Sequence, residues 1–190
     1  MIAYASQFGT TGEVAETIGD TLSKEGRFVE TKPLGNVKGI SSYNAVIIGS
    51  AIQYEKWMPE ATEFVLTNQN ALEKMSVAYF FTCMTLSRRN KKTERQAIGY
   101  STKLHTLTPR VKPVDIGRFA GSVDYAKMSF PFRFILRGVL TVMGVKEGDY
   151  RDWDAIRTWA RDIDLKLAQQ QLKRRHADAF YADSYMETTV

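Results

Sequence analysis

The sequence of 190 residues predicts an α/β protein built on a doubly wound, five-stranded parallel sheet. Apolar runs of strand length alternate along the chain with stretches that have helical spacing, which is typical of βαβ units with right-handed crossovers. One of these runs, Ala45–Gly49, is apolar without interruption, as expected of a strand that is buried on both faces of a parallel sheet. The length suits one well-buried domain, and we predict that it spans residues 1–172.

The first half of the chain contains three strand patterns and two helix patterns. The apolar runs "MIAYAS", "RFVETKPL" and "NAVIIGS" predict strands within residues 1–6, 27–34 and 44–50. The pattern "EVAETI" predicts a helix over residues 13–24, and a second helix is expected over residues 59–68.

The second half continues the alternation. The run "SVAYFFTC" predicts a strand at residues 76–83, and "VKPVDIGRFAG" predicts another within residues 111–121. A polar helical stretch lies between them at residues 93–105, and a final helix is expected over residues 153–172. Residues 173–190 begin basic and end polar, so we expect a frayed helix end and a loosely held C-terminal tail.

The composition indicates a globular protein that works in a reducing compartment. Hydrophobic residues make up 44% of the chain and charged residues 25%, which excludes the bias of disordered or collagen-like sequences. One cysteine excludes an internal disulfide framework, and with two histidines it leaves little material for a metal site. The N-terminal residues lack the basic and apolar regions of a signal peptide, so we expect a cytoplasmic protein.

The net charge of +5 and the isoelectric point near 9.3 suit an anionic partner. Nucleic acid, anionic lipid and a carboxylate-rich small molecule all meet that description. Charge alone does not choose among them.

The loop after the first strand, "YASQFGTTGE", has the residues of a phosphate site without a cation. Ser6, Thr10 and Thr11 offer hydroxyl donors, Gly9 allows close backbone approach, and Gly12 leaves room where the helix starts. The loop matches neither the G-x-x-x-x-G-K-[ST] pattern nor the G-x-G-x-x-G pattern, which leaves a phosphate monoester as the expected ligand. The alternative is a helix cap rich in serine and threonine that binds nothing.

The loop after the third strand, "GSAIQYEKWMP", presents aromatic residues at the same edge of the predicted sheet. Tyr54 and Trp57 can stack on a planar heterocycle, and the backbone amides near Ser50 and Ala51 can bond its polar edge. In the alternative interpretation, both rings only pack over the end of the sheet.

The loop after the fourth strand, "FTCMTLSRRNKK", brings Thr82, Cys83, Met84 and Thr85 to this edge. Here we expect backbone donors to matter more than side chains. Cys83 is expected to be a small buried filler rather than a redox group.

The order and placement of these three loops resemble the flavodoxin fold, in which the strand order is 2-1-3-4-5 and the ligand is FMN. The first loop resembles the family pattern T/S-x-T-G-x-T, although Phe8 stands where threonine is usual. The resemblance implies that the flavin site is formed by Ser6, Gln7, Phe8, Gly9, Thr10, Thr11, Ser50, Ala51, Ile52, Gln53, Tyr54, Thr82, Cys83, Met84 and Thr85.

A further resemblance covers roughly residues 1–170. The stretches "VIIGSAIQYEKW", "AGSVDY" and "DWDAI", together with an apolar insertion, look like those of the menaquinone-dependent protoporphyrinogen IX dehydrogenases. This resemblance implies FMN-dependent oxidation of protoporphyrinogen in heme biosynthesis, with the electrons passed to menaquinone. It implies no catalytic side chain, because the chemistry is centred on the flavin, and no nucleic-acid partner.

The insertion, residues 124–150, is unusually apolar and carries basic residues. Arg133 and Arg137 are four residues apart, so a helix would set both on one face, with Lys127 and Lys146 flanking it. Three interpretations stay open: a helix on an anionic membrane surface through residues 128–146, a lid over an apolar polycarboxylate substrate, or a dimer or core helix. The first predicts peripheral association with the inner face of the cell membrane, and the third predicts a homo-oligomer.

Other functions remain as alternatives. A flavodoxin-type electron carrier, an FMN-dependent NAD(P)H:quinone reductase and a flavin-free interaction module would share much of this pattern. The basic charge disfavours the electron carrier, because flavodoxins that dock on basic partners are acidic. No general base is evident, since His105 and His176 are expected to be solvated.

Overall fold

A computed structural model describes the backbone of residues 1–124 and 146–187 and the side chains of these ranges as far as residue 176. The strands in them are β1 (Ile2–Ala5), β2 (Thr31–Pro33), β3 (Ala45–Gln53), β4 (Lys56–Trp57), β5 (Ser76–Cys83), β6 (Ile116–Ala120), β7 (Ser122–Val123) and β8 (Gly148–Asp149). The α-helices are α1 (Thr10–Lys24), α2 (Pro59–Thr67), α3 (Gln69–Leu72), α4 (Lys91–Leu107) and α5 (Trp153–Glu187). Two short 3-10 helices occupy Leu34–Asn36 and Met84–Ser87.

The main sheet has the predicted doubly wound topology. Its parallel strands lie in the order β2-β1-β3-β5-β6, which is the order 2-1-3-4-5 when only these five strands are numbered. β4 pairs antiparallel with the end of β3, and β7 pairs antiparallel with β8 outside the main sheet. The prediction of an α/β fold with a central parallel sheet is therefore confirmed.

Helices cover both faces of the sheet. On one face α1 and α5 bury Ile18 and Ile156 against Ile47 and Phe80 of the central strands. On the other face α2 and α4 contribute to a second cluster around Phe81. β5 is buried along its whole length, as the apolar run "SVAYFFTC" predicts for a central strand.

The last helix is longer than the sequence pattern indicated. The predicted end at Leu172 is wrong, because α5 continues to Glu187. Residues 153–187 contain no glycine or proline and are rich in Ala, Gln, Leu, Lys and Arg, which favour a helix even where the apolar periodicity fades. Smaller corrections apply to α1, which begins at Thr10, and to α4, which begins at Lys91.

The insertion lies largely outside the described residues. Lys127, Arg133 and Arg137 fall in this part, while Lys146 is described and is exposed. Within the two described ranges, no helix combines the length and the apolar character that crossing a bilayer requires.

Candidate functional site

A cavity opens at the carboxyl edge of the sheet, where parallel α/β proteins commonly bind ligands. Four loops form its walls, one after each of β1, β3, β5 and β6. Its lining residues are Ser6, Gln7, Phe8, Thr10, Thr11, Ala51, Ile52, Gln53, Tyr54, Thr82, Cys83, Met84, Gly121, Ser122 and Val123. Twelve of these are predicted site residues, and three predicted residues, Gly9, Ser50 and Thr85, do not line the cavity.

The first loop leads directly into the start of α1. Gly9 has a φ of 84°, in the left-handed region that glycine adopts without strain, and its carbonyl accepts from the N–H of Glu13 at 3.0 Å. No described side chain caps this helix. The N–H groups of the first turn lack partners within a helix, so they can donate to an anion. A Cβ at Gly12 would lie 2.9 Å from the ring of Tyr4, so glycine is needed for this close packing.

Two hydroxyl pairs join the first loop to neighbouring strand ends. Thr10 Oγ1 lies 2.9 Å from Ser122 Oγ, and Thr11 Oγ1 lies 2.8 Å from Thr82 Oγ1. In each pair one hydroxyl donates and the other accepts, so one O–H hydrogen per pair stays available for a further acceptor. Each pair therefore keeps one O–H hydrogen for a ligand, on whichever of its two hydroxyls accepts within the pair.

The second loop is a hairpin between β3 and β4. Its two-residue turn places Tyr54 at φ 48° and Glu55 at φ 62°, a left-handed conformation that is uncommon for residues other than glycine and asparagine. Tyr54 is 89% exposed and lines the cavity. Gln53 donates a side-chain hydrogen bond to Gln7, which connects this hairpin to the first loop.

Ser50 and Trp57 fix the base of the hairpin through hydrogen bonds. The Ser50 hydroxyl accepts from the Met58 N–H at 3.0 Å and donates to the Ala51 carbonyl at 2.8 Å, so it is used inside the loop. Trp57 is buried, and its indole N–H donates to the Tyr100 carbonyl at 3.0 Å. Of the two interpretations of Trp57, packing over the end of the sheet is the one that the geometry supports.

The third loop contributes Thr82, Cys83 and Met84 to the cavity wall. Burial raises the pKa of the Cys83 thiol to about 11, so the thiol is neutral at physiological pH, as expected of a filler. Thr85 lies away from the cavity, with its hydroxyl 3.2 Å from that of Tyr100.

A fourth loop forms part of the site, although none of its residues was predicted to do so. Gly121, Ser122 and Val123 line the cavity directly after β6, within the stretch "AGSVDY". A Cβ at Gly121 would lie 3.2 Å from the sulfur of Met84, so this position suits a residue without a side chain. The detectable signal was the place of this stretch after the fifth parallel strand, because all parallel strands end at one edge.

Arg151 is a further residue near the site that was not predicted from the sequence. Its guanidinium forms two hydrogen bonds with Asp149, at 2.7 and 2.8 Å, and a third with Glu13 at 2.7 Å. It also lies over the ring of Trp153, 4.3 Å from the centroid. The Arg151 side chain is only 6% exposed, whereas the Glu13 and Asp149 side chains are 35% and 41% exposed, so solvent screens the carboxylate side of this network in part. It neutralises Glu13, an acidic group in the first turn of α1 beside the cavity.

The described lining of the cavity has no carboxylate, histidine, lysine or arginine. His105 and His176 are exposed on α4 and α5 and do not line it. The hydroxyls of Ser6, Thr10, Thr11, Thr82 and Ser122 and the start of α1 supply polar groups, and the rest of the lining is largely apolar apart from Gln7 and Gln53. This donor set fits FMN, which combines a phosphate, a polar-edged ring and flat apolar faces.

Comparisons with known proteins agree with this geometry. A family model described as "Flavodoxin domain" matches residues 1–150. The chain is 26% identical over 172 residues to a protoporphyrinogen IX dehydrogenase [quinone] of Leishmania major, covering 86% of this chain and 73% of that protein. A protein of the same name from Escherichia coli strain K12 is 24% identical over 170 residues, covering 86% of this chain and 93% of that protein.

Among solved structures, oxidised flavodoxin 2 from Bacillus cereus is similar, with a TM-score of 0.52 and 17% identity. The similarity covers 87% of this chain and 97% of that one, and at this identity it bears on the fold alone. The family model, however, spans well over half of the sequence. The chain therefore belongs to the flavodoxin domain family.

Proposed function

We propose that this chain is an FMN-dependent oxidoreductase that converts protoporphyrinogen IX to protoporphyrin IX and passes the electrons to a membrane quinone. The observation that carries the proposal is the cavity at the carboxyl edge of the sheet, whose lining combines hydroxyl donors with apolar side chains from four neighbouring strand ends. The similarity to proteins named protoporphyrinogen IX dehydrogenase [quinone], over 86% of this chain, supports the choice of substrate and acceptor.

Each loop has a role in holding the cofactor. Ser6, Thr10, Thr11 and the first N–H groups of α1 would hold the phosphate. Residues 51–54 on one side and residues 82–84 and 121–123 on the other would hold the ring system. When bound, FMN supplies the two-electron redox chemistry, and three such rounds remove the six electrons that separate protoporphyrinogen from protoporphyrin.

The side chains of the cavity position the cofactor and exclude water from it. They do not transfer protons. Cys83 stays protonated and uncharged, so it adds no repulsion toward the phosphate. The apolar walls at Ile52, Met84 and Val123 keep water from the faces of a bound ring. The described lining has no carboxylate, histidine or lysine that could act as a base toward the substrate.

The insertion completes the proposal on the substrate side. Lys127, Arg133 and Arg137 pair with the propionate carboxylates or with lipid phosphates, and the apolar residues of 128–146 contact the membrane that holds the quinone. The protein then works at the inner face of the cell membrane, without a nucleic-acid partner.

The test is anaerobic mixing of FMN-loaded protein with protoporphyrinogen IX and a quinone analogue, with porphyrin fluorescence and flavin absorbance followed together. Bleaching of the flavin, growth of porphyrin emission and flavin reoxidation by the quinone are expected. Apoprotein serves as the control for spontaneous oxidation. Flavin that stays oxidised under protoporphyrinogen rejects the proposed substrate.

The same sample separates the alternatives. Reduction by NADH or NADPH, but not by protoporphyrinogen, would identify a quinone reductase. A flavin that neither donor reduces, and that exchanges electrons only with a protein partner, would identify a carrier. The net charge of +5 disfavours the carrier, for which docking on basic partners requires an acidic surface.

A further inference from the structure

A basic patch surrounds the beginning of α4. It consists of Arg88, Arg89, Lys91, Lys92 and Arg95, and all five side chains are exposed. Within residues 88–95 they face one acidic residue, Glu94, whose carboxylate lies 3.6 Å from the Arg89 guanidinium.

The basic patch lies at the same edge of the sheet as the cavity. The 3-10 helix Met84–Ser87 connects the two, since Met84 lines the cavity and Arg88 follows the helix directly. A shallow groove between the patch and the β3–β4 hairpin is lined by Glu55, Lys91, Lys92, Arg95 and Gln96. The Glu55 carboxylate in it is bonded by the side-chain amide of Gln96 at 2.8 Å. Tyr54 precedes Glu55 in the same hairpin and is exposed, so the hairpin that borders the groove also carries an exposed aromatic side chain.

Two of these cations lie where positive charge is unfavourable for the helix. Lys91 and Lys92 are the first two residues of α4, where the helix dipole makes positive charge unfavourable. Asn90 already caps this helix, since its side chain accepts from the N–H groups of Lys92 and Thr93 at 2.9 and 3.1 Å. Lys91 and Lys92 are thus unfavourable at the N-terminus of α4 and do not cap it. Residues that break a local rule in this way indicate a role outside folding.

We propose that the basic patch binds anionic lipid headgroups and so turns the opening of the cavity toward the bilayer. This inference rests on the proposed function, in which the electron acceptor is a membrane quinone. A lipid surface fits the observations because the cations are spread over one exposed patch, and the bordering hairpin carries an aromatic side chain of the kind that lies at headgroup level. The patch is separate in sequence from the insertion, to which the membrane contact was assigned above.

The experiment compares two triple variants of the FMN-loaded full chain. The patch variant is Lys91→Gln, Lys92→Gln and Arg95→Gln. The control variant is Lys24→Gln, Lys74→Gln and Lys112→Gln, which removes the same charge from exposed lysines at the opposite edge of the sheet. Lys24 is the last residue of α1, and Lys74 and Lys112 precede β5 and β6. Sedimentation is measured with vesicles of phosphatidylglycerol and phosphatidylcholine in equal parts, and with phosphatidylcholine alone, at low and high salt.

The native chain and the control variant should sediment with the anionic vesicles only, and more weakly at high salt. The patch variant should bind about 100-fold less tightly, since each cation near such a surface contributes roughly a factor of five. Its melting temperature should stay equal or rise slightly, because two charges leave a helix N-terminus where they are unfavourable. Loss of binding therefore would not come from loss of fold.

Equal vesicle binding by the two variants would overturn the proposal, and so would a native chain that ignores anionic vesicles. Preferential loss of binding to single-stranded DNA, with vesicle binding unchanged, would assign the patch to nucleic acid instead. Flavin content and protoporphyrinogen oxidation in detergent, measured on the same proteins, report on the proposed function separately. A native chain that binds vesicles through the patch but does not oxidise protoporphyrinogen would contradict the proposed activity. It would still support lipid binding by the basic patch.

Discussion

The Nη1 atom of Arg151 lies 2.7 Å from Oε2 of Glu13, although the two residues are 138 positions apart in the sequence. This bond joins the chain just after the insertion to the first turn of the helix at the proposed phosphate site. The shape of that turn therefore depends on a residue that belongs to neither β1 nor α1.

Replacement of Arg151 by methionine should destabilise the protein by about 1–3 kcal/mol, because the carboxylates of Glu13 and Asp149 lose a partner that is itself buried. The matched control is Arg157→Met, whose partner Asp154 is 94% exposed, and the expected loss is below about 0.5 kcal/mol. Urea unfolding of both variants measures the difference. Equal losses would show that the Arg151 network does not hold the site together.

The pairing with Arg151 also predicts a pH dependence. Hydrogen bonds from Arg151 lower the pKa of Asp149 below its ordinary value of 3.8. A carboxyl group whose pKa falls on folding stabilises the protein above its unfolded pKa and loses that effect as the pH drops through the folded pKa. The stability difference between the native chain and Asp149→Asn should thus stay constant from pH 7 to 5 and shrink below pH 3.8. A difference that changes mainly between pH 5 and 7 would assign it to another group.

Two glycines test the first loop in a controlled comparison. Gly9 and Gly26 have φ values of 84° and 82°, and a Cβ at either would meet no atom closer than 4.0 Å. Alanine at either position should cost about 1 kcal/mol of stability through the same backbone strain. Only Gly9→Ala should also weaken FMN binding, by roughly tenfold, equivalent to about 1.4 kcal/mol. Flavin titration of the two apoproteins decides, and equal affinities would count against the proposed phosphate loop.

The buried pair Thr11 and Thr82 should behave as a coupled unit. Thr11→Val leaves the Thr82 hydroxyl buried without this partner, so each single variant should lose about 1–2 kcal/mol of stability. The double variant should lose clearly less than the sum, because no hydroxyl is then left unpaired. A double-mutant cycle in urea measures this coupling. Additive losses would mean that the hydroxyls do not bond to each other in solution.

Cys83 should be inert in the folded protein. With its pKa raised from 9.0 to about 11 by burial, the thiol should react very slowly with iodoacetamide at pH 8 and readily after unfolding in urea. The stabilisation by the neutral buried thiol is complete below pH 9 and is lost as the pH rises toward 11. Since the chain has one cysteine, mass spectrometry reads the extent of reaction directly. Fast alkylation of the native protein at pH 8 would contradict this assignment.

Much of the fold follows from local periodicity. Strands β3 and β5 were predicted from their uninterrupted apolar runs. Such runs occur because central strands of a parallel sheet are buried on both faces. The three loops after β1, β3 and β5 were identified because each directly follows such a run, where glycines, hydroxyls or aromatics stand out. For these loops, the local sequence pattern and the place at the end of a strand both indicate a position at the ligand site.

Other features had no local signal. The turn at Tyr54 and Glu55 lacks the glycine or asparagine that usually marks a two-residue hairpin, so the tertiary structure holds it in a left-handed conformation. Arg151 acts through Glu13, a contact that only the folded chain creates. The end of α5 was misplaced because helix propensity, rather than an apolar face, extends it to Glu187.

The antiparallel pair β7–β8 joins the chain on the two sides of residues 124–147, which make up most of the insertion. Val123 pairs with Gly148, and the Tyr150 N–H donates to the Gly121 carbonyl at 3.2 Å, so the ends of residues 124–147 are closed by backbone bonds. The cost of closing a loop rises only slowly with its length. In evolution, the segment between these anchors can therefore be lengthened, shortened or exchanged while the sheet and the cofactor loops stay unchanged.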